Sequence, residues 1–248
     1  MPTRSRSLVA GLGLALLAAG LLTACATPAG SGSTPTPTST SPSAAGSDDQ
    51  AEEIEADVAW LDGGRMIGVV TQGSSTCIPV AGDVAYTNGV LEVELLDPPE
   101  ATACTMDLVP RVTTVAVPPD VDPTQELEIR FTGDYTGDAD VDGVPGLTGG
   151  GQTDYLPSAG WTGEDGQFVI LTWGSSSCVP VISDVALSSP SEVAVTFADP
   201  PADQVCTADM APRAVVAQVD GVDDDSEVTA VLTGDTFEGV RVPIIGHD

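Results

Sequence analysis

Two short stretches, each present twice, hold the residues of this chain that could do chemistry. GSSTCIPV (73–80) and CTMDLVPR (104–111) recur as GSSSCVPV (174–181) and CTADMAPR (206–213). Serine, cysteine, aspartate and arginine repeated in register would suit nucleophilic catalysis, acid/base catalysis, thiolate chemistry or disulfide formation. Nucleophilic serine needs a base beside it. The chain has no lysine and its one histidine, His247, lies outside both repeats. GSSTC and GSSSC are also not G-x-S-x-G elbows, so their serines are predicted to bond turn backbone.

Carboxylates are the next candidates for acid/base work. With 37 Asp plus Glu, only those repeated in register are informative: Asp83/Asp184, Asp97/Asp199 and Asp107/Asp209. Asp97 and Asp199 head DPP turns, where aspartate bonds its own backbone. Asp107 and Asp209 precede Arg111 and Arg213 by four residues. That spacing predicts a structural ion pair in each copy, with a carboxylate capping backbone amides as the alternative. No catalytic residue is assigned. DADVDG matches the first half of a calcium loop through Asp138, Asp140 and Asp142. Gly149 stands where the bidentate acid of the twelfth position belongs, so no metal is expected beyond this weak candidate. Trp60 and Trp161 open the two copies and read as core plugs. Trp173 occurs only in the second copy, beside the GSS turn; core packing is its expected role, and contact with a ligand or partner is the alternative.

Apart from Cys25, each copy has two cysteines. Three pairings are open, and the repeat favours Cys77 with Cys104 and Cys178 with Cys206, one staple per copy. Closing a loop of roughly 28 residues stabilises by about 3–4 kcal/mol in the chain-entropy model. A zinc site lacks further ligands, and a redox pair is normally closer in sequence.

The elements that must carry these residues read as strands. Trp60/Trp161, Cys77/Cys178 and Asp83/Asp184 match at an offset of 101, and Asp97/Asp199, Cys104/Cys206 and Arg111/Arg213 at 102, which marks a duplication. VLEVELL, EVAVTF, ELEIRF and SEVTAVL alternate apolar and polar residues. RMIGVVTQ and QFVILTWG are continuous apolar runs, and RVTTVAV and RAVVAQV begin at the paired arginines. After Phe131 the first copy reads TGDYTGDADVDG and the second TGDTFEGVRVPIIG, so Phe237–Ile245 is predicted as a final strand and its counterpart as mostly loop. The expected fold is all-β: two tandem small antiparallel β-sandwich or barrel-like domains, each with one disulfide, at 57–145 and 159–248, joined by a Gly-rich linker at 146–158.

Residues 1–7 carry Arg4 and Arg6, and an apolar run follows that ends in LTAC at Cys25. The run is short for a membrane-spanning helix. It resembles a bacterial lipoprotein signal peptide with its lipobox. The resemblance implies that residues 1–24 are removed and that Cys25 is lipid-modified, which would anchor the chain to the cell membrane on its extracytoplasmic side. Residues 25–56 are rich in Ala, Thr, Pro, Ser and Gly and then in acids, the composition of a disordered tether. Five Arg against 37 acids leave the part after residue 24 at −32. That charge repels nucleic acid and anionic membrane surfaces.

With lipobox, tether and lysine-free modules rich in Asp, Val and Ala, the chain is similar to cell-surface lipoproteins of high-GC Gram-positive bacteria. GSSxCxPV and CTxDxxPR resemble motifs of actinobacterial exported proteins that carry no known activity. The expected function is non-enzymatic binding of a protein or envelope ligand, without cofactor. Two alternatives are a solute-, cation- or glycan-binding lipoprotein that uses an interdomain cleft, and a hydrolase built on carboxylates.

Overall fold

Continuous apolar runs and alternating runs demand different surroundings. A strand with one dry face alternates, whereas a strand apolar at every position must bury both faces. The computed structural model describes residues 51–99, 103–223 and 226–246. The segment that resembles a lipobox, Cys25, most of the expected tether and His247 lie outside the described residues.

The described chain is all-β, with a single 3-10 turn at Asp62–Gly64 as its only helical element. A short strand β1 (Glu52–Glu53) precedes the first copy, which comprises β2 (Asp57–Leu61), β3 (Met66–Gly73), β4 (Val80–Thr87), β5 (Val90–Leu96), β6 (Val109–Ala116), β7 (Leu127–Gly133) and β8 (Tyr135–Val141). The second comprises β9 (Ser158–Trp161), β10 (Gln167–Gly174), β11 (Ile182–Ser189), β12 (Glu192–Phe197), β13 (Ala211–Gln218), β14 (Val228–Gly234) and β15 (Phe237–Ile245). The first copy forms sheets β1-β8-β7-β5-β4 and β2-β3-β6. In the second, β15 runs on to pair in parallel with β9, so that all seven strands share one sheet in the order β11-β12-β14-β15-β9-β10-β13.

Three apolar seams hold these strands. Val58, Trp60, Ile67 and Val69 pack on Leu91, Val93, Ile129 and Phe131 within the first copy. Phe168 and Ile170 pack on Val193, Val195, Ala230 and Leu232 within the second. Between the copies, Ala59, Leu61, Met66 and Val70 meet Val169 and Leu171, with Trp173, Ala214 and Val216 at the margin. Successive residues of β2, β3 and β10 therefore serve different cores, as the alternation of strand side chains requires. Trp60 and Trp161 are both buried.

The expected division into two tandem domains needs correction at this seam. The repeats stack directly on one another, as in a solenoid, and the described residues belong to one compact unit. The expected linker is also tied down. Gly149 N–H donates to Gly63 O at 3.0 Å, Arg65 Nε to Gly150 O at 2.8 Å, and Thr153 Oγ1 to Asp62 Oδ1 at 3.1 Å. Residues 51–56, expected to be tether, include β1, with Ile54 and Ala56 packed on the first core. The segment expected as loop, Tyr135–Val141, is a strand because β7 pairs along it and Tyr135 anchors its start in the core.

Gly160 marks the tightest approach of the copies: a Cβ there would fall inside the van der Waals surface of the Trp60 carbonyl oxygen. Because the obstacle is backbone, it cannot rotate away. Gly160→Ala is expected to cost about 1–3 kcal/mol, the usual range for overpacking, read as a lower urea midpoint; an unchanged midpoint would show that the seam yields.

Candidate functional site

Each copy's repeated residues converge on one disulfide-closed turn. Cys77–Cys104 and Cys178–Cys206 are bonded, as the repeat predicted, with Cα atoms 5.3 and 5.6 Å apart. The GSS turn lies under the loop that carries the second cysteine. Ser74 Oγ lies 2.8 Å from Thr105 Oγ1, and Ser175 Oγ lies 2.8 Å from Thr207 Oγ1. The amide of Ser75 donates to Asp107 Oδ1 at 3.2 Å; Ser176 donates to Asp209 Oδ1 at 3.2 Å. Thr105 and Thr207 hydroxyls donate short bonds to the same carboxylates.

The ion pairs expected for Asp107 with Arg111 and Asp209 with Arg213 do not form; the carboxylates cap amides instead. Four residues of extended chain span about 13 Å, so the spacing that pairs side chains on a helix separates them here. Each arginine binds the other half of the turn. Arg111 Nη1 donates to Cys77 O and Arg111 Nε to Thr71 Oγ1 at 3.3 Å. Arg213 donates to Cys178 O at 2.7 Å and Trp173 O at 3.1 Å. The guanidinium passes so close to the preceding glycine that a Cβ at Gly174 would stand 2.7 Å from Arg213 Cζ. Gly73 has the same relation to Arg111, which explains why both motifs open on glycine.

Beyond the turns the copies diverge. In the first, Tyr135 is buried and its hydroxyl donates to Asp97 Oδ1 at 2.6 Å. Burial, then the bond to Asp97 and that carboxylate's charge, push the phenol up to about 12, against a smaller opposing pull from the nearby Arg111 guanidinium. In the second copy the hairpin is longer: Thr236 is an exposed turn residue and Phe237 opens β15 opposite Gly234. Phe237 packs on that copy's core and stacks on Phe197 with ring centroids 5.1 Å apart, so the hydroxyl that Tyr135 gives to Asp97 has no counterpart on it. Between Asp199 and Arg213, the counterparts of Asp97 and Arg111, there is a cavity of about 600 Å³. Asp235, Thr236, Gln204 and Trp173 also line it, with Val179 to Val181 and Pro200–Pro201 as apolar wall. Two buried donors of its lining residues, Arg213 Nε and Trp173 Nε1, have no protein partner.

Trp173, the candidate ligand contact, therefore borders a cavity, but one inside the second copy instead of a cleft between domains. Its ring meets Tyr155 edge to face at 5.1 Å. Asp199 looked like turn chemistry alone, and Asp235 and Thr236 were not singled out. The available signal was the longer turn of the second copy, where Thr236 and Phe237 follow Gly234-Asp235 and the matched stretch loses its register. Asp138 and Asp140 sit exposed on β8, with Arg130 Nε 3.3 Å from Asp138 Oδ1. Alternate residues of an extended strand do not wrap an ion, and Asp142 follows the strand's end. No cluster of three metal-ligating side chains that could hold an ion occurs among the described residues. Compared with protein-family models, curated proteins and solved structures, the chain matches none significantly.

The capping carboxylates make the turns acid-sensitive. Asp107 is lowered to about 2, first by the Thr105 hydroxyl and then by Ser75; Asp209 is lowered to about 2 by Thr207 and then Ser176. Depressed folded values mean that this stabilisation is present above the unfolded carboxyl value and is lost as pH falls from about 4 through about 2. The double variant Asp107→Asn/Asp209→Asn is expected to melt lower at pH 6 and to lose less melting temperature than wild type between pH 4 and pH 2. Parallel curves for the two proteins would contradict the capping role.

Proposed function

We propose that this chain is a lipid-anchored extracytoplasmic binding protein without catalytic activity. Its second copy holds a small ligand. The observation that carries this reading is the cavity of about 600 Å³ in the second copy, lined by Asp199, Arg213 and Trp173 and walled by Val179 to Val181 and Pro200–Pro201. Its size falls in the range of small-molecule sites, and its mixture of apolar wall with a few polar groups suits orientation of a bound solute. On this reading the β-strands of the second copy serve as frame, and the disulfide Cys178–Cys206 holds the Arg213 side of the cavity in place.

The non-catalytic part of the proposal rests on what the repeated groups do. Asp107 and Asp209 are occupied in turn bonding, and Asp97 accepts the Tyr135 hydroxyl. The anchoring part rests on the lipobox-like LTAC at Cys25, through which the membrane is the first partner and an envelope solute the second.

Native mass spectrometry on the full chain, extracted in detergent from its own membranes, tests both parts. A diacylglyceryl-type mass at Cys25, lost in Cys25→Ala, is expected together with a small non-covalent adduct. Ala198→Trp and Val181→Trp, which fill the cavity from two sides, should both remove the adduct. An adduct indifferent to both substitutions, or none at all, would defeat the binding reading; absence of lipid would defeat the anchoring one.

A further inference from the structure

Two aspartates of the first copy are both engaged where the DPP turn meets the turn between β7 and β8. Asp97 accepts the Tyr135 hydroxyl at 2.6 Å, and Asp134 accepts the Asp97 amide at 2.8 Å. Asp199 opens the second DPP turn as Asp97 opens the first, and Asp235 ends the second TGD as Asp134 ends the first. Neither keeps its bond. Asp235 has a left-handed backbone at φ 48°, which Asp134 does not share. Among the described residues, no hydrogen bond or ion pair reaches the carboxylate of Asp199 or of Asp235.

Both carboxylates border the second copy's cavity, and Arg213 is the one other charged residue of its lining. The guanidinium is turned to the turn it braces, with Nη1 on Cys178 O at 2.7 Å and Nη2 on Trp173 O at 3.1 Å. The oxygens of Asp199 and Asp235 therefore keep their lone pairs for something else. Two carboxylates against one guanidinium leave the lining with an excess of negative charge, in a chain of 37 acids and 7 arginines. An anionic ligand is repelled by both. The rest of the wall is apolar, from Val179 to Val181 and at Pro200–Pro201, with Trp173 beside it; an indole also attracts a cation. A metal ion needs more ligands than this, and no group of three metal-ligating side chains that could hold one occurs among the described residues.

Resting on the binding reading above, we infer that the second copy's cavity takes a small primary amine in its protonated form, joined to an apolar body. The ammonium donates to Asp199 and Asp235, and the body lies against the Val179–Val181 and Pro200–Pro201 walls. An ammonium has three N–H donors and no acceptor, the complement of carboxylates that only accept. Its bonds to them are charge-assisted and stronger than those of a neutral hydroxyl. The field of the acidic chain raises the local concentration of such cations before contact.

The test uses the full chain in non-ionic detergent at about 0.15 M salt, where diffuse attraction between exposed charges is screened beyond about 8 Å. Three probes are followed by ¹⁹F NMR: 4-fluorobenzylamine, the neutral 4-fluorobenzyl alcohol and the anionic 4-fluorophenylacetate. The amine resonance is expected to broaden and shift with a Kd of about 1 mM or tighter, a bound consistent with so few heavy atoms. The alcohol should bind at least about fivefold more weakly, since its bonds lack the charge, and the anion should not bind. Asn suits both the DPP turn and the left-handed position, so Asp199→Asn and Asp235→Asn preserve the backbone. Each should weaken the amine about fivefold, and the pair together more than about tenfold, through loss of hydrogen bonds to charged acceptors. Asp184→Asn, which removes an exposed carboxylate on β11 outside the cavity, should leave binding unchanged, and Ala198→Trp should abolish it. If the paired variant fails to fold, the single ones decide. Equal affinity for the alcohol, no binding of the amine, unaffected Asp199→Asn and Asp235→Asn variants, or an equal loss in Asp184→Asn would overturn the inference. An envelope adduct that lacks an amine but is lost in Ala198→Trp would overturn it too, while leaving the binding reading in place.

Discussion

The structure depends on a seam of aliphatic side chains where β2, β3 and β6 lie against β9, β10 and β13. Ala59, Leu61, Met66, Val70, Val169 and Leu171 are all buried there. Aromatics make up only 4% of the chain, so the cores rely on close approach of sheets in place of large rings. Gly160 beside the Trp60 carbonyl, and Gly68 where a Cβ would stand 3.1 Å from Val169 Cγ1, show how near the two copies come. Interiors packed at this density tolerate little change in volume, so the copies are bound into one body and each supports the other's inner strands.

With the inner strands committed to packing on both faces, only the outer ends are free to vary. The disulfide turns sit there, and both copies preserve them almost atom for atom: amides capped by Asp107 and Asp209, carbonyls capped by Arg111 and Arg213. A turn held by a covalent bond, a capping carboxylate and a seated guanidinium retains its shape when its neighbour changes. Arg213 and the disulfide thereby fix one side of the second copy's cavity, and a wall that is already in place has less ordering cost to meet when something binds.

The all-β content, the duplication and the cysteine pairing were legible in residue order, because each leaves a local trace: period-two alternation, matched motifs at one offset, two cysteines per copy. The continuous runs MIGVV and QFVIL were also legible as strands, yet their meaning was missed. A strand apolar at every position announces burial on both faces, and therefore a second layer outside its own copy. The arginine and aspartate spacing misled for the converse reason. Separation in sequence gives a distance only once the backbone is known, and in extended chain four residues are far apart.

Sequence alone determined most of the strands, β1 and β8 excepted, the favoured cysteine pairing and where the motifs of the copies correspond, since these follow from backbone preferences and repeated local patterns. Tertiary structure alone decided that the copies share a core, that the paired motifs cap backbone in place of pairing with each other, and that Trp173, Asp199 and Arg213 border one cavity. Those outcomes depend on which side chains reach a space assembled from residues far apart in the chain, and no spacing along the sequence states that distance.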